Sequence, residues 1–315
     1  MTRQNVSRRE FVRAAGAAAV ATPLITGGFA GSAPSPKGKA ETAVKAFHAS
    51  LTEKQREQIC FSFDHKLRSR INANWAITKP TIGSDFYTKE QRELLDKVVR
   101  GITSEDGYER FQEQMIEDDG GVENYHVAMF GDPAKGEFEW ELTGRHLTLR
   151  ADGDSVDKTA FGGPLVYGHG RGNPKSNLFH YQTKAANKVL EALDGKQREA
   201  ALIAKAPRES MVPIQGAKGK FPGIAAGDLS DDQKKLVEEV LRVILAPYRS
   251  EDVDEAMSFV KAGGGLDALH LAYYKQGDLG ADEVWDIWRV EGPNFVCHFR
   301  GAPHVHAYLN VGTKG

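Results

Sequence analysis

His304-Val305-His306 is the pair of residues in this chain best placed to do chemistry. In a β-strand alternate residues project from one face, so the two imidazoles stand side by side. Two such rings repel when both are charged, and a transition metal that takes both as neutral ligands removes that repulsion. An isolated His-x-His is more often a pair of polar strand residues facing water, but the context here favours a site. The turn Arg300-Gly301-Ala302-Pro303 just before it is stiff and fixes where the pair points. His146 follows a second turn, Thr143-Gly144, and sits on the polar face of its own strand. His169, between Gly168 and Gly170 in a loop, has the freedom to reach a site as a fourth ligand. Zinc and copper both suit three imidazoles with a position left open. The expectation is one transition metal ion, copper or zinc, on His146, His304, His306 and His169.

Other residues take supporting roles in that expectation. Arg145 precedes His146, and its guanidinium fork suits a substrate carboxylate or another oxyanion. Tyr308 shares the ligand face with His306 and is a second substrate-binding candidate. Glu139 and Glu141 share a face with His146, so one of them is a candidate to orient its ring, against the plainer reading of a solvated strand face. Cys297 is expected on the His306 face and His298 on the opposite one. His126 and His270 hold matching places on two strands and read as hydrogen-bonded strand residues; His48, His65 and His180 have no supporting context. Nothing reads as a phosphate loop, a serine elbow or an HExxH helix. Asp152-Gly153-Asp154 begins like a calcium loop but lacks the ligand spacing that should follow.

The elements that must position these residues have a repeated pattern. Helix starts at Thr52, Thr88, Asp194 and Ser230 each carry Gln three residues later, at Gln55, Gln91, Gln197 and Gln233. That is a capping box or its Asp variant. Thr52 to Thr88 and Asp194 to Ser230 are both 36 positions apart, and each pair leads to a similar strand, Tyr125–Phe130 or Leu269–Tyr274. Hairpins are expected next, Phe138–Leu149 and Phe295–Leu309. The pattern predicts an internal duplication, with halves of about 40–160 and 185–312. In that scheme His146 takes the place of His304, and a pseudo-two-fold brings the two hairpins together. Residues 152–184, rich in Gly, Pro and Asn, are expected to form an ordered loop or a lid. The fold class is α+β, helical pairs packed on antiparallel hairpins, as one domain over residues 34–312.

Composition narrows the partners. The 315 residues carry 41 Lys+Arg against 43 Asp+Glu, so no field of one sign favours nucleic acid. Two cysteines, Cys60 and Cys297, are too few for a disulfide scaffold, and one bridge between them stays open. Ser7-Arg8-Arg9-Glu10-Phe11-Val12 matches the twin-arginine export pattern, and an Ala- and Gly-rich apolar run from Ala14 to Ala30 follows it. The run is short and broken by Pro23 and Gly27-Gly28, unlike a span of ~20 apolar residues. Residues 1–33 are therefore read as a cleavable signal handed to the twin-arginine translocase. The mature protein is expected in the periplasm or outside the cell, without a membrane span.

With these motifs assembled, the chain resembles a bacterial family known as domain-of-unknown-function family 3500. The resemblance rests on Leu142–Leu149, Phe161-Gly162-Gly163-Pro164, Gly292–Val296 and Phe299–His306, and it covers nearly all of the mature chain. It implies membership and little chemistry. Relatives are expected to carry aromatic residues where this chain has Cys297-His298. The functional expectation is thus an exported metalloprotein, a copper oxidoreductase or a zinc hydrolase acting on a small molecule or peptide. Two competing readings are a metal-free acid–base enzyme with an anionic substrate and a non-catalytic periplasmic ligand-binding protein.

Overall fold

All four capping boxes form. Thr52, Thr88, Asp194 and Ser230 each accept a hydrogen bond from the backbone N–H of the glutamine three residues on, whose side chain reaches back to the cap amide. The glutamines then do more than cap. Gln55 and Gln91 exchange side-chain hydrogen bonds of 2.9 and 3.1 Å, and Gln197 and Gln233 exchange bonds of 3.3 and 2.8 Å. Gln91 also donates to the carbonyl of Ser50, as Gln233 does to that of Ala192. The common spacing of 36 residues in the sequence is therefore one amide-to-amide lock made twice.

The computed structural model describes residues 34–280 and 284–314; the expected signal segment, residues 1–33, lies outside the described residues. Helices α1 (Lys39–Ser50) and α2 (Glu53–Ile59) lead into β1 (Cys60–Phe61), and α3 (Lys89–Ile102) and α4 (Glu105–Asp119) precede β2 (His126–Gly131). Strands β3 (Phe138–Gly144), β4 (Leu147–Ala151) and β5 (Leu165–His169) follow. The order then recurs. Helices α5 (His180–Glu191) and α6 (Gly195–Ala201) lead into β6 (Leu202–Ile203) and the short β7 (Ile224–Ala225). Helices α7 (Asp231–Leu245) and α8 (Ser250–Ala262) precede β8 (His270–Tyr274), β9 (Ile287–Gly292), β10 (Phe295–Arg300) and β11 (Val305–Val311). The strands form one mixed sheet of eleven, in the order β1-β2-β3-β4-β5-β11-β10-β9-β8-β6, with β7 also on β8. The β1–β2 and β6–β8 pairs are parallel and the others antiparallel. The fold is α+β.

One side of this sheet is the main core. Leu95, Val98, Val99 and Ile102 of α3 and Val237, Val240, Leu241 and Ile244 of α7 pack with Trp140, Leu142, Leu149, Val290 and Leu309. Each fully buried aliphatic side chain contributes about 1.5–3 kcal/mol, so the amphipathic helices hold the sheet's shape. Two extended segments strap the opposite side. Residues 71–78 bond to the sheet through the Ile77 amide to Thr143 and the Thr78 hydroxyl to Val127. Residues 209–216 do so through Arg289 to the Met211 carbonyl and Asn310 to the Val212 carbonyl.

Several expectations need correction. By order in the sheet β3 and β4 match β9 and β10, so the turn carrying His146 matches the turn at Pro293-Asn294. His304 lies one connection later, between β10 and β11, and is not the counterpart of His146. Residues 152–184 are not simply a loop or lid, because they contain β5, which pairs with both β4 and β11. The register of β10 with β11 sets Arg300 opposite His306 and His298 opposite Tyr308. Five residues separate Arg300 from His306, one more than a four-residue turn supplies, and the extra residue turns the face over. His298 therefore lies on the His306 face, and Cys297 lies on the helix side, where it packs in the main core. Both cysteines are free thiols. Burial pushes the Cys297 thiol up to about 12. No helix among the described residues is long and apolar enough to cross a membrane.

Candidate metal centre

Three imidazoles meet where the β3–β4 turn faces the start of β11. Ring centroids are 5.1 Å apart for His146 and His304, 4.9 Å for His146 and His306, and 4.7 Å for His304 and His306. One nitrogen from each lies within 4.8 Å of the other two, and the Nε2 atoms of His304 and His306 are 3.0 Å apart. A tetrahedral ion with metal–nitrogen bonds of about 2.0–2.1 Å sets its ligand nitrogens about 3.3 Å apart. One spacing already fits, and a small contraction brings in the third.

The backbone is shaped to make this meeting possible. The β3–β4 connection is only Arg145-His146, because Gly144 pairs with Leu147. His146 takes a left-handed conformation, φ 57°, which is uncommon outside glycine but which histidine, like asparagine and aspartate, adopts more often than most residues. Its N–H donates to the Ala73 carbonyl at 2.6 Å, which ties the turn to the first strap. Strand β5 lies between β4 and β11, and the residue it places opposite His306 is Gly168. A Cβ there would come within 2.2 Å of the Val305 carbonyl oxygen and 3.2 Å of the His146 Cβ. Glycine is what lets His146 lean across β5 to its partners.

Two carboxylates orient the rings. Nδ1 of His146 donates to Asp118 at 2.7 Å, and Nδ1 of His306 donates to Glu209 at 2.9 Å. Each contact fixes the tautomer and leaves Nε2 with its lone pair, as in the carboxylate–histidine–metal arrangement. Asp118, in the last turn of α4, also accepts from the Gly170 amide at 2.7 Å and from Gln114 at 2.8 Å. Burial works to raise its pKa, but those donors and the imidazole hold it below the ordinary carboxylate value. Glu209, from the second strap, is likewise held low against its burial by His306 and by Arg300, whose Nε lies 3.1 Å away. Burial first, then the charges of His306, Arg300 and His146, lower the pKa of His304 to about 4. A ring held neutral is one whose lone pair is free for a metal.

His304 Nε2 is asked for incompatible bonds. It lies 3.0 Å from Nε2 of His306 and 3.3 Å from Nη2 of Arg300. With its own proton on Nδ1, His306 presents only a lone pair, so His304 has to donate to it. Arg300 is always a donor, so His304 has to accept from it. One nitrogen cannot do both. A cation among the three Nε2 atoms takes both lone pairs and resolves the conflict.

The remaining predicted residues fall as follows. His169 does not join the trio. Along β5 it alternates with Gly168, so it faces the helix side with Val305, and it is fully buried. Nε2 donates to Glu117 at 2.7 Å and Nδ1 accepts from the Leu178 amide at 3.2 Å, which leaves neither nitrogen open. Arg145 is exposed beside His146, and its guanidinium has no hydrogen-bond or ion-pair partner among the described residues. Tyr308 is 5% exposed, with its ring 6.4 Å from that of His306. Glu139 and Glu141 do not orient His146. Both are buried against Arg150, with Arg68 on Glu139 as well. Asp118 and Glu209 carry no recognised signal in the sequence, and Gly168 and Arg300 stand out there only as parts of the loop and the turn beside the histidines. The acidic run Glu117-Asp118-Asp119 at a helix C-terminus was the one available clue, since charge of that sign opposes the helix dipole.

The fold and site together define an α+β protein built on one eleven-stranded sheet, with three convergent imidazoles as its candidate metal centre. By sequence the chain belongs to the family described as protein of unknown function (DUF3500), whose model matches residues 34–310. No curated protein and no solved structure matches it.

Proposed function

We propose that this protein is an exported metalloprotein that holds one copper or zinc ion on Nε2 of His146, His304 and His306, with a fourth position open. The conflict at His304 Nε2 is the observation that carries the reading, because a metal ion is the occupant that satisfies three converging lone pairs. The carboxylates on His146 and His306 support it. Zinc there lowers the pKa of bound water to about 7 and serves hydrolysis. Copper there serves redox chemistry, and Cys297, on the other face of the sheet, supplies no thiolate of the blue-copper kind. Export rests on the Arg8-Arg9 motif. The deciding experiment is elemental analysis by plasma mass spectrometry on protein exported by its own signal and purified without chelator. The expected result is about one copper or zinc per chain, lost in the His304→Ala/His306→Ala double variant, and its identity selects the chemistry to assay. A chain with no stoichiometric metal, even after reconstitution, ends the proposal.

A further inference from the structure

We infer that the open position of this centre takes an anionic ligand, an oxyanion such as a carboxylate, gripped by Arg145 and Arg300. The inference rests on the metal reading and adds the class of substrate. The two guanidinium groups come from different elements. Arg145 belongs to the turn that carries His146, and Arg300 ends β10. Arg300 Nη2 already lies 3.3 Å from His304 Nε2, the atom a metal would claim. Once that lone pair is taken, this N–H has to find another acceptor beside the ion, while the Arg300–Glu209 contact at 3.1 Å keeps the side chain in place. Arg145 lies beside the His146 ring. A Cβ at Gly170 would sit 3.5 Å from Arg145 Nη2, 3.3 Å from His146 Cε1 and 2.7 Å from Asp118 Oδ1.

Charge points the same way. Asp118 and Glu209 are the two carboxylates bonded to the trio, and each is committed to an imidazole. They balance a divalent ion and leave two guanidinium charges over. A guanidinium presents paired N–H donors in a plane, which matches an oxyanion and not a neutral or cationic ligand. The exposed, unpaired Arg145 is also the group a diffusing anion meets first.

The test uses the mature chain loaded with cobalt(II), whose visible spectrum reports changes at the fourth position. Acetate and azide are titrated as probes, with neutral imidazole as the control ligand. The expected result is saturable anion binding that weakens by about tenfold or more in Arg145→Gln and in Arg300→Gln, with imidazole binding unchanged in Arg145→Gln. Arg145→Gln removes no hydrogen bond or ion pair among the described residues, and far-ultraviolet circular dichroism and unchanged cobalt binding separate a lost anion grip from a folding effect. Cobalt bound with no spectral response to either anion, or with equal anion affinity in wild type and Arg145→Gln, overturns this inference and leaves the metal centre standing. Failure of cobalt to bind at all overturns the metal reading and this inference with it.

Discussion

Asp118 Oδ2 lies 2.7 Å from Nδ1 of His146, and it does so from the last turn of α4, where the helix dipole disfavours a negative charge. A residue kept in an unfavourable place is explained by what it touches. Asp118→Asn keeps the size of the side chain and an oxygen for the Gly170 amide, but it removes the charge that favours the Nδ1–H tautomer. Metal affinity is expected to fall about 10–100-fold with the fold intact, as for other carboxylates behind metal-bound histidines. Competition against a chromophoric chelator gives the affinity, and far-ultraviolet circular dichroism checks the fold. An unchanged affinity would show that the turn alone orients the ring.

Asp119 carries the same electrostatic cost without the same use. It is exposed at the end of α4 and is not bonded to the trio. Asp119→Asn is expected to stabilise the protein by about 0.3–1 kcal/mol at low ionic strength, less in high salt, and to leave metal affinity alone. Urea unfolding at two salt concentrations measures it. Destabilisation would mean that this carboxylate is doing a job in the fold.

Gly168→Ala tests whether space on β5 makes the site. The new methyl would meet the Val305 carbonyl oxygen at 2.2 Å, a backbone atom that cannot swing away, so β5 and β11 must part where His306 is anchored. Overpacking of this kind costs about 1–3 kcal/mol. The expected outcome is lower stability together with weaker metal binding. Weaker stability with full metal affinity would detach Gly168 from the site.

Much of the scaffold was legible in the sequence, because capping boxes and alternation are local signals. Gln55 and Gln197 announce their helices from three residues away. His304 and His306 announce a shared face from two. The losses all lie where the answer depends on register or on distant chain. One extra residue between Arg300 and His306 reverses the faces of His298 and Cys297. His169 stays outside the trio because Gly168, not His169, is the β5 residue opposite His306. Glu209 reaches His306 from 97 positions away, a contact that no spacing encodes.

The doubled glutamine lock predicts unequal costs. Gln91 is 2% exposed and satisfies the Thr88 amide, the Ser50 carbonyl and the Gln55 amide. Gln91→Ala leaves the buried side-chain amide of Gln55 without its partner, which costs about 1–3 kcal/mol. Gln233 makes the matching bonds in a half-exposed setting, where water can replace them. Gln233→Ala is expected to cost less than half as much in urea unfolding. Equal losses would show that both amide pairs act through packing and not through buried hydrogen bonds.

The last prediction concerns pH and sits away from the metal centre. Burial, then the charge of Glu139, raises the Asp152 carboxyl to about 7. Burial raises Asp252 to about 6, against the opposing pull of Arg249, and burial followed by the charges of Asp152 and Asp252 raises Glu255 to about 8. In the unfolded chain such groups titrate near 4. A carboxyl whose folded pKa is raised binds more protons in the folded state than in the unfolded one between those two values. Its stabilising effect is therefore complete below pH about 4 and is lost as pH rises toward 8. Urea unfolding of the metal-free protein should show stability declining from pH 7 to pH 8.5, above the range where the histidines of lowered pKa, such as His298 and His304, act in the opposite direction. Asp152→Asn keeps the acceptor for the Val156 amide, bonded at 3.0 Å, and abolishes the titration. The variant should match wild type near pH 4 and exceed it at pH 8, by a few kcal/mol at most at about 1.36 kcal/mol per pK unit. Parallel pH profiles for the two proteins would mean that Asp152 titrates normally and that its neighbours accommodate the charge.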